Sequence, residues 1–401
     1  MAAVVLEWFN VAIRWAHVLA AIMWIGDSFL FMWLDSHLTA PTRKRDGDVV
    51  GELWMTHSGG FYEMVKRKTL AKDEMPATIY WFKWESYSTW ITGFLLLVVV
   101  YYAGGRAMLV DATSPLSHGQ AVGISLASLV GAVVFYDVLC RTSAMKSNRI
   151  FGVIGLVLIS IVSWSLLQIF SPRAVFLQVG AMLGTIMASN VFFRIIPSQR
   201  HMLAATEAGH AVDPAYGYRA KQRSVHNHYL TLPVLFTMLS NHFPGLYAHA
   251  QSWAVLSLVF IAGVGVKYVM NFRRKTHPVI IIGVLTACSS VGVLTLPAPS
   301  SSTAALAAGD RVEWAAIKLI LETRCTGCHA KTPTTAGFAA PPVGLTLEDP
   351  RDVVAAQDRI LLRAVQTKTM PLGNLTGMTE EERLILGRWI AQGAPIPAGA
   401  P

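Results

Sequence analysis

Charged side chains are scarce in this sequence. Asp, Glu, Lys and Arg make up 14% of its 401 residues, whereas a soluble globular protein has ~25%. Hydrophobic residues make up 53%, and they come in runs of about 20, the length that crosses a hydrocarbon layer. These two features exclude an ordinary soluble protein and predict an integral membrane protein.

The apolar runs predict an all-α fold, a polytopic bundle with about eight membrane spans. Short charged or Gly/Pro-containing segments separate the runs. The predicted spans are Phe9–Trp33, Trp84–Ala103, Ala121–Cys140, Ile150–Phe170, Ala174–Phe193, Tyr229–Ala248, Ser252–Asn271 and Pro278–Leu296.

The first apolar run has no basic residue ahead of it, unlike a cleaved signal peptide, and Arg14, His17 and Asp27 interrupt it. We therefore expect a retained first helix with its N-terminus outside. Lys and Arg concentrate in loops 34–83, 141–149, 194–228 and 272–277, whereas the alternate loops have at most one each. Basic loops face the cytoplasm, so both termini are expected in the periplasm, across a bacterial inner (plasma) membrane.

The character of the chain changes after Leu296. Residues 297–310, "PAPSSSTAALAAGD", are small and Pro- and Ser-rich, as is typical of a linker. From Asp310 onward acidic and basic residues are equal in number and no run is long enough to span a membrane. The sequence therefore predicts a membrane domain (1–296), a linker (297–310) and a soluble C-terminal domain (311–401). The excess of positive charge belongs to the membrane domain, where topology explains it, so no nucleic-acid partner is expected.

Cysteine is also scarce, with four residues in the chain. Cys140 and Cys288 lie within predicted spans, where we expect them to be small packing residues. The other two stand in "RCTGCHAK", residues 324–331. Cys-x-x-Cys-His is the attachment signature of a c-type haem, because two thiols at this spacing can add to the two vinyl groups of one haem. Cys325 and Cys328 are then the covalent attachment sites, and His329 is the proximal iron ligand.

The sixth iron ligand is expected to be a methionine. Met370, in "KTMPLGN", precedes a proline as in small cytochromes c, and Met378 is the alternative. A disulfide or half of a zinc site would also use two cysteines, but a zinc site needs two more Cys or His ligands, which the C-terminal region does not offer.

Ionisable residues inside predicted spans are costly, and they usually face a cavity, a partner or a cofactor. Long cationic side chains near span ends can instead extend to the membrane surface. A group of such residues falls toward the predicted cytoplasmic half and supplies our candidate catalytic residues: Asp27, Glu85, Arg194, His226, His228 and Lys267.

His17 lies in the pattern W-A-H-x6-W-I-G, which resembles the first helix of several membrane families that bind a b-type haem through this histidine. The resemblance implies a second haem of b type, with His17 as one ligand and His242 or another span histidine opposite. The alternative is a histidine that only packs.

The chain as a whole resembles the bacterial membrane-bound urate oxidases. The similarity rests on "WIGDSFLFMWLD" in the first span, on "HSGGFYEMVK" leading to "WFKWESYSTWITG", on eight spans, and on a C-terminal Cys-x-x-Cys-His region. It implies oxidation of urate to 5-hydroxyisourate in purine catabolism, without peroxide production. The electrons would leave through a tethered cytochrome c to a periplasmic acceptor, such as a soluble cytochrome c or a terminal oxidase, and so to the respiratory chain.

Two other functions remain open from the residues alone. One is a different membrane electron-transfer enzyme, which oxidises quinol or another small metabolite. The other is a transporter or haem-handling protein with a cytochrome c tail, for which an internal repeat would be expected. None is evident in the sequence.

Overall fold

The computed structural model describes residues 2–142, 147–249, 251–272, 277–295, 309–335, 338 and 340–397. It is mostly helical, with 69% helix and 5% strand. Most of the predicted linker lies outside the described residues. Below, "the body" denotes residues 2–295 and "the C-terminal segment" residues 309–397.

Long helices build the body. They are α1 Ala2–His37, α2 Trp84–Leu96, α3 His118–Leu139, α4 Asn148–Leu167, α5 Pro172–Asn190, α6 Ile196–Glu207, α7 Pro214–Leu239, the short α8 Pro244–Tyr247, α9 Ser252–Phe272 and α10 Pro278–Leu294. Single π-helical turns extend α2 over Leu97–Tyr102 and join α5 to α6 over Val191–Ile195.

Several of these helices are long and apolar enough to cross a membrane. Among the described residues five meet both conditions: Glu7–His37, His118–Leu139, Ile150–Leu167, Pro172–Glu207 and Ser252–Phe272, with Pro278–Leu294 apolar but shorter. The predicted span 229–248 differs from the structure, since α7 begins at Pro214 and ends at Leu239. A 3₁₀ turn over Ser240–His242 follows α7. The helical conformation does not continue beyond this turn, because Pro244 disfavours helical geometry at the preceding Phe243.

The structure departs from the all-α prediction in the loop after α1. Strands β1 Val49–His57 and β2 Gly60–Arg67 form an antiparallel hairpin. Ser58 and Gly59 join them with positive φ angles of 52° and 77°, the geometry of a tight two-residue hairpin turn. An ion pair between Lys66 and Asp35 ties the hairpin to the end of α1. We call this end of the helix bundle the hairpin end.

The C-terminal segment has a hydrophobic cluster of its own, which includes Ile317, Leu386 and Trp389, separate from the cluster of the body. Its helices are α11 Trp314–Arg324, α12 Thr326–His329, α13 Pro350–Ala355, α14 Gln357–Ile360 and α15 Glu380–Ala391. An ion pair of 3.0 Å between Arg324 and Glu382 links α11 to the start of α15.

Candidate functional site

A cavity of about 300 Å³ lies between α1, α7 and α9 near the hairpin end. Aromatic and apolar side chains form part of its wall, and a small number of polar groups converge on it. Its lining residues are Phe29, Leu30, Trp33, Ser36, His228, Lys267, Met270 and Asn271. Its volume is at the lower end of the ~300–1,000 Å³ range of small-molecule sites.

His228 is the polar residue that α7 contributes to the cavity. Nδ1 lies 3.1 Å from the Ser28 hydroxyl of α1, and Nε2 lies 3.1 Å from the side-chain amide of Asn271 on α9. The imidazole is almost fully buried. Hydrogen bonds to two different helices fix the orientation of the ring, so His228 is held rigidly at the wall.

Lys267 brings a positive charge into the cavity. The residue is 1% exposed, and its ammonium group lies over the face of the Phe29 ring. No carboxylate lies within ion-pair distance of it in the part of the chain that the structure describes. A buried charge is costly unless it is paired. The ammonium group is therefore suited to an anionic ligand that enters the cavity.

Close backbone packing brings α7 and α9 together beside the cavity. A Cβ atom on Gly263 would lie only 3.0 Å from Cδ of Pro233 and 3.2 Å from its nitrogen. Gly263 precedes Lys267 by about one helical turn, and Pro233 follows His228 by a little more. The small residue thus allows the approach that places His228 and Lys267 at one cavity.

A second polar cluster surrounds Asp137 on α3. Its carboxylate accepts hydrogen bonds from Arg141 at 2.7 Å, from Arg194 at 2.8 Å and from Arg223 at 2.9 Å. Arg194, a predicted catalytic candidate, is therefore engaged in this ion-pair cluster. The ion pair between Asp137 and Arg141, which are one helical turn apart, is one part of this larger arrangement.

His226 belongs to this second cluster and not to the cavity. Asn190 donates to the Tyr136 hydroxyl oxygen at 3.1 Å, and this hydroxyl lies 2.8 Å from His226 Nδ1. The ring stacks on Phe151 with 3.7 Å between centroids. Nε2 is buried without a partner among the described residues. Residues two apart on a helix point in directions roughly 200° apart, which is why His226 and His228 face different neighbours.

Asp27 and Glu85 form a third group, where α1 packs against α2. The two carboxyl groups lie within electrostatic range of each other. Glu85 Oε2 is buried, and no hydrogen-bond partner for it is present in the described ranges. Neither residue lines the cavity.

The six candidate residues thus divide among three places, and only His228 and Lys267 share a cavity. Ser28, Phe29 and Asn271 also belong to this site, although they were not among the candidate residues predicted from the sequence. Asn271 carried a usable signal, because it follows Lys267 by four residues and therefore lies on the same helix face. For Ser28 and Phe29, no sequence feature pointed to the site apart from their position next to Asp27.

A larger, open groove lies on α9 and α10, lined by residues such as Leu258, Leu285 and Val293. Apart from Thr286, Ser289 and Ser290 its lining is apolar, and no charged side chain reaches it. It lacks the means to hold an anion, so the smaller cavity is the stronger candidate for a site of chemistry.

The Cys-x-x-Cys-His motif forms one tight turn after α11. The His329 amide donates to the Cys325 carbonyl at 2.9 Å, and both cysteines are half-buried. His329 Nδ1 lies 3.0 Å from the Leu345 carbonyl, which can only accept. Nδ1 therefore carries the proton and Nε2 has its lone pair available, the arrangement in which a histidine ligates a metal.

The two methionines considered for the sixth ligand occupy different surroundings. Met370 is half-buried in the loop before α15, and its backbone is held by Arg363 and Arg383. Met378 is 3% exposed and belongs to the hydrophobic cluster of the segment. Among the described residues, no group of three His, Cys, Asp or Glu side chains is arranged to hold a metal ion by itself, as a zinc site would require. The donor set therefore fits a c-type haem.

His17 and His242, the residues expected to bind a b-type haem, lie on different elements. His17 is between α1 and α2, where Nδ1 is 3.1 Å from the Thr89 carbonyl, so Nε2 again has its lone pair available. His242 ends a 3₁₀ turn at the end of α7. Within the described ranges, no hydrogen bond or ring contact links the two imidazoles.

Comparison with known proteins gives a match for the body. A family model described as urate oxidase N-terminal matches residues 3–297, a range that covers most of the chain and every residue of the cavity. Searches of curated proteins and of solved structures found no significant match. The chain therefore belongs to the urate oxidase family that this N-terminal domain defines.

Proposed function

We propose that this protein is a membrane-bound oxidase of urate, which forms 5-hydroxyisourate and passes the electrons to a c-type haem on its C-terminal segment. The family match supports the substrate. The observation that carries the proposal is the buried Lys267, which has no carboxylate partner in the described residues and faces a cavity of substrate size.

The cavity provides the contacts that urate needs. Urate is planar, anionic at neutral pH, and surrounded by hydrogen-bonding edges. Lys267 provides the positive charge, Asn271 and Ser36 provide donors and acceptors, and the rings of Phe29 and Trp33 provide apolar faces. A few placed polar groups in an otherwise apolar wall are the usual composition of a small-molecule site.

The reaction adds one water molecule at C5 of urate and releases two electrons and two protons. A general base must accept a proton as water attacks, and it must lie within hydrogen-bond reach of that proton. His228 is the base that this cavity offers. Because Ser28 and Asn271 engage both of its ring nitrogens, Asn271 would have to release Nε2 before that nitrogen accepts the proton. Lys267 stabilises the anion and keeps the purine plane positioned against His228.

The electron acceptor would be a c-type haem held by the C-terminal segment, with Cys325 and Cys328 as attachment points and His329 and Met370 as iron ligands. A c-type haem accepts one electron at a time, so one urate reduces it twice. The expected onward acceptor is a periplasmic soluble cytochrome c or a terminal oxidase. A b-type haem with His17 and His242 remains part of the proposal as an intermediate carrier.

The direct test is a spectrum of the purified protein before and after addition of urate. We expect loss of urate absorbance together with reduction of the haem, and a pyridine haemochrome assay counts c- and b-type haem separately. One c-type haem with no b-type haem would remove the proposed role of His17. Reduction of the haem by quinol and not by urate would contradict the proposed function and would favour the apolar groove on α9 and α10 as the substrate site.

Substitution of Lys267 tests the cavity. We expect Lys267→Met to weaken urate binding by about 10- to 100-fold, because a hydrogen bond to a charged group contributes about 1.5–3 kcal/mol. The measurement is KM for urate under steady-state turnover. Lys221→Met makes the same change at an exposed position of α7 and should leave KM unchanged. Equal KM values for the two variants would place urate elsewhere.

A further inference from the structure

A short turn of the C-terminal segment contacts a short turn of the body. The Ala112 amide of the body donates to the Gly373 carbonyl of the segment at 2.8 Å. Gly373 has a positive φ of 55°, and a Cβ atom there would lie 3.1 Å from the Ala107 carbonyl and 3.2 Å from the Val110 carbonyl. The two backbones therefore meet directly, and a side chain on residue 373 would crowd this contact.

The turn on the body, Arg106–Ala112, is held in place by contacts within the body itself. Leu109 and Val110 are buried in the hydrophobic cluster of the body. The Leu109 carbonyl accepts from the Ser171 amide at 2.9 Å, and Arg106 donates to the Leu116 carbonyl at 2.9 Å. The turn is thus fixed both to the start of α5 and to the segment that precedes α3.

The docked turn on the C-terminal segment, Leu372–Asn374, closely follows Met370. The Met370 amide donates to the Arg363 carbonyl at 2.9 Å, and the Met370 carbonyl accepts from Arg383 at 2.7 Å. Asn374 accepts from the Met378 amide at 3.0 Å. These bonds fix the position of the turn relative to Met370, so docking of the turn also places Met370 beside the body.

A second contact fixes the orientation of the segment. The Arg363 guanidinium approaches the Tyr247 hydroxyl closely enough to interact with it electrostatically. Tyr247 ends α8 and is 3% exposed, and its ring packs against Phe176 of α5 at 6.3 Å. Two contacts on separate elements of the body prevent the segment from pivoting about either one.

We propose that the turn Arg106–Ala112 and Tyr247 form the surface through which electrons leave the body, by holding the Met370 side of the C-terminal segment in fixed contact. The inference rests on the proposed function for the electron donor, urate, and for the acceptor, a ferric c-type haem. Oxidation of one urate releases two electrons and two protons, so two single electrons cross this contact in turn. The residues of the surface are positioning residues, because they act by placing the segment.

Gly373→Ala tests the surface, with Gly393→Ala as its matched control. Both glycines have a positive φ, of 55° and 89°, but a Cβ atom on Gly393 meets nothing within 4 Å. Both variants therefore have an alanine in the left-handed region, with its backbone strain. Only in Gly373→Ala does the added methyl group also crowd the backbone of the body. Tyr247→Phe, with the exposed Tyr218→Phe as its control, tests the second contact without backbone strain.

The first measurement is hydrogen exchange of the peptide that contains Ala112, which needs neither urate nor turnover. We expect at least about tenfold faster exchange of the Ala112 amide in Gly373→Ala, because its acceptor moves away, and no change in Gly393→Ala. Exchange that is equally slow in both variants would overturn the docking itself.

The second measurement is the rate of haem reduction after rapid mixing with urate, compared with reduction by ascorbate. We expect Gly373→Ala and Tyr247→Phe to slow reduction by urate several-fold and to leave reduction by ascorbate unchanged, whereas both controls behave as wild type. Urate reduction at the wild-type rate in a variant whose Ala112 amide has lost protection would overturn the electron-transfer role. If urate does not reduce the wild-type haem, the proposed function fails, while the exchange measurement still decides the docking.

Discussion

At the scale of single residues, Glu52 shows how one buried carboxylate organises the segment before the hairpin. It is almost fully buried on β1. It accepts from the hydroxyl and the amide of Thr42, at 2.6 and 2.8 Å, and from Arg45 at 2.9 Å. The Thr42 hydrogen bonds, supported by the Arg45 charge, lower the pKa of Glu52 to about 2 from its usual 4.5.

This lowered pKa predicts an acid-sensitive hairpin. Because the pKa of Glu52 falls on folding, its stabilising contribution is complete above pH 4.5 and is lost as the pH drops from 4.5 to about 2. The hydrogen-exchange protection of residues 49–67, measured relative to the intrinsic exchange rate at each pH, should therefore fall over that range. Glu52→Gln should exchange faster already at neutral pH and show a weaker pH dependence. Asp73→Asn, at an exposed site, should behave as wild type, and the same pH profile in Glu52→Gln would contradict the assignment.

The two methionines of the C-terminal segment also differ at this scale. Met370 is half-buried in its loop, whereas Met378 packs in the hydrophobic cluster. Met370→Leu should retain covalent haem but lose the thioether ligand, which lowers the reduction potential. Met378→Leu is a volume-conserving core change, so we expect less than about 1.5 kcal/mol of destabilisation and an unchanged spectrum. Redox titration of both variants is the measurement, and the opposite pattern would assign the ligand to Met378.

At the scale of helices, small residues set the distances on which the cavity depends. Gly263 lets α9 meet Pro233 of α7, and a Cβ on Gly180 of α5 would lie 2.2 Å from the Thr237 hydroxyl. Small residues at helix contacts are typical of membrane bundles, because they let the helices approach closely. The distance between His228 and Lys267 thus depends on a contact between α7 and α9 that lies about one helical turn from each residue.

Gly263→Leu should therefore distort the cavity, although Gly263 does not line it. The added side chain has no space against Pro233, and overpacking costs about 1–3 kcal/mol. We expect a raised KM for urate and a lower Tm. Gly283→Leu is the control, since a Cβ on this α10 glycine meets nothing within 4 Å. A lower Tm with an unchanged KM would show that the α7–α9 contact stabilises the bundle without shaping the site.

At the scale of the whole molecule, the proposed site of oxidation and the proposed electron exit are at opposite ends of the helix bundle. The cavity lies beside the last turns of α1, next to the hairpin, whereas the C-terminal segment docks on the turn before α3 and on α8. On the proposed function, electrons would have to cross the length of the bundle. An intermediate carrier on His17, near the middle of α1, would shorten each step.

Several features follow from the sequence alone, because they depend on composition and local spacing. Apolar runs predict the long helices, and the spacing of the Cys-x-x-Cys-His motif brings its residues into a single turn. The Leu345 carbonyl that orients His329 is visible only in the structure. The helical period also separates His226 from His228 and places Asn271 on the face of Lys267. These signals were present in the printed sequence.

The tertiary structure decided which buried polar residues meet. Asp27, Glu85, Arg194, His226, His228 and Lys267 look alike in the sequence, since each is an ionisable residue in or beside an apolar run. Their partners depend on which helix faces pack together, and that depends on close approaches such as Gly263 against Pro233, between residues distant in the chain. The hairpin and the docking of Gly373 on Ala112 are likewise pairings of distant backbone segments, which local propensity does not encode.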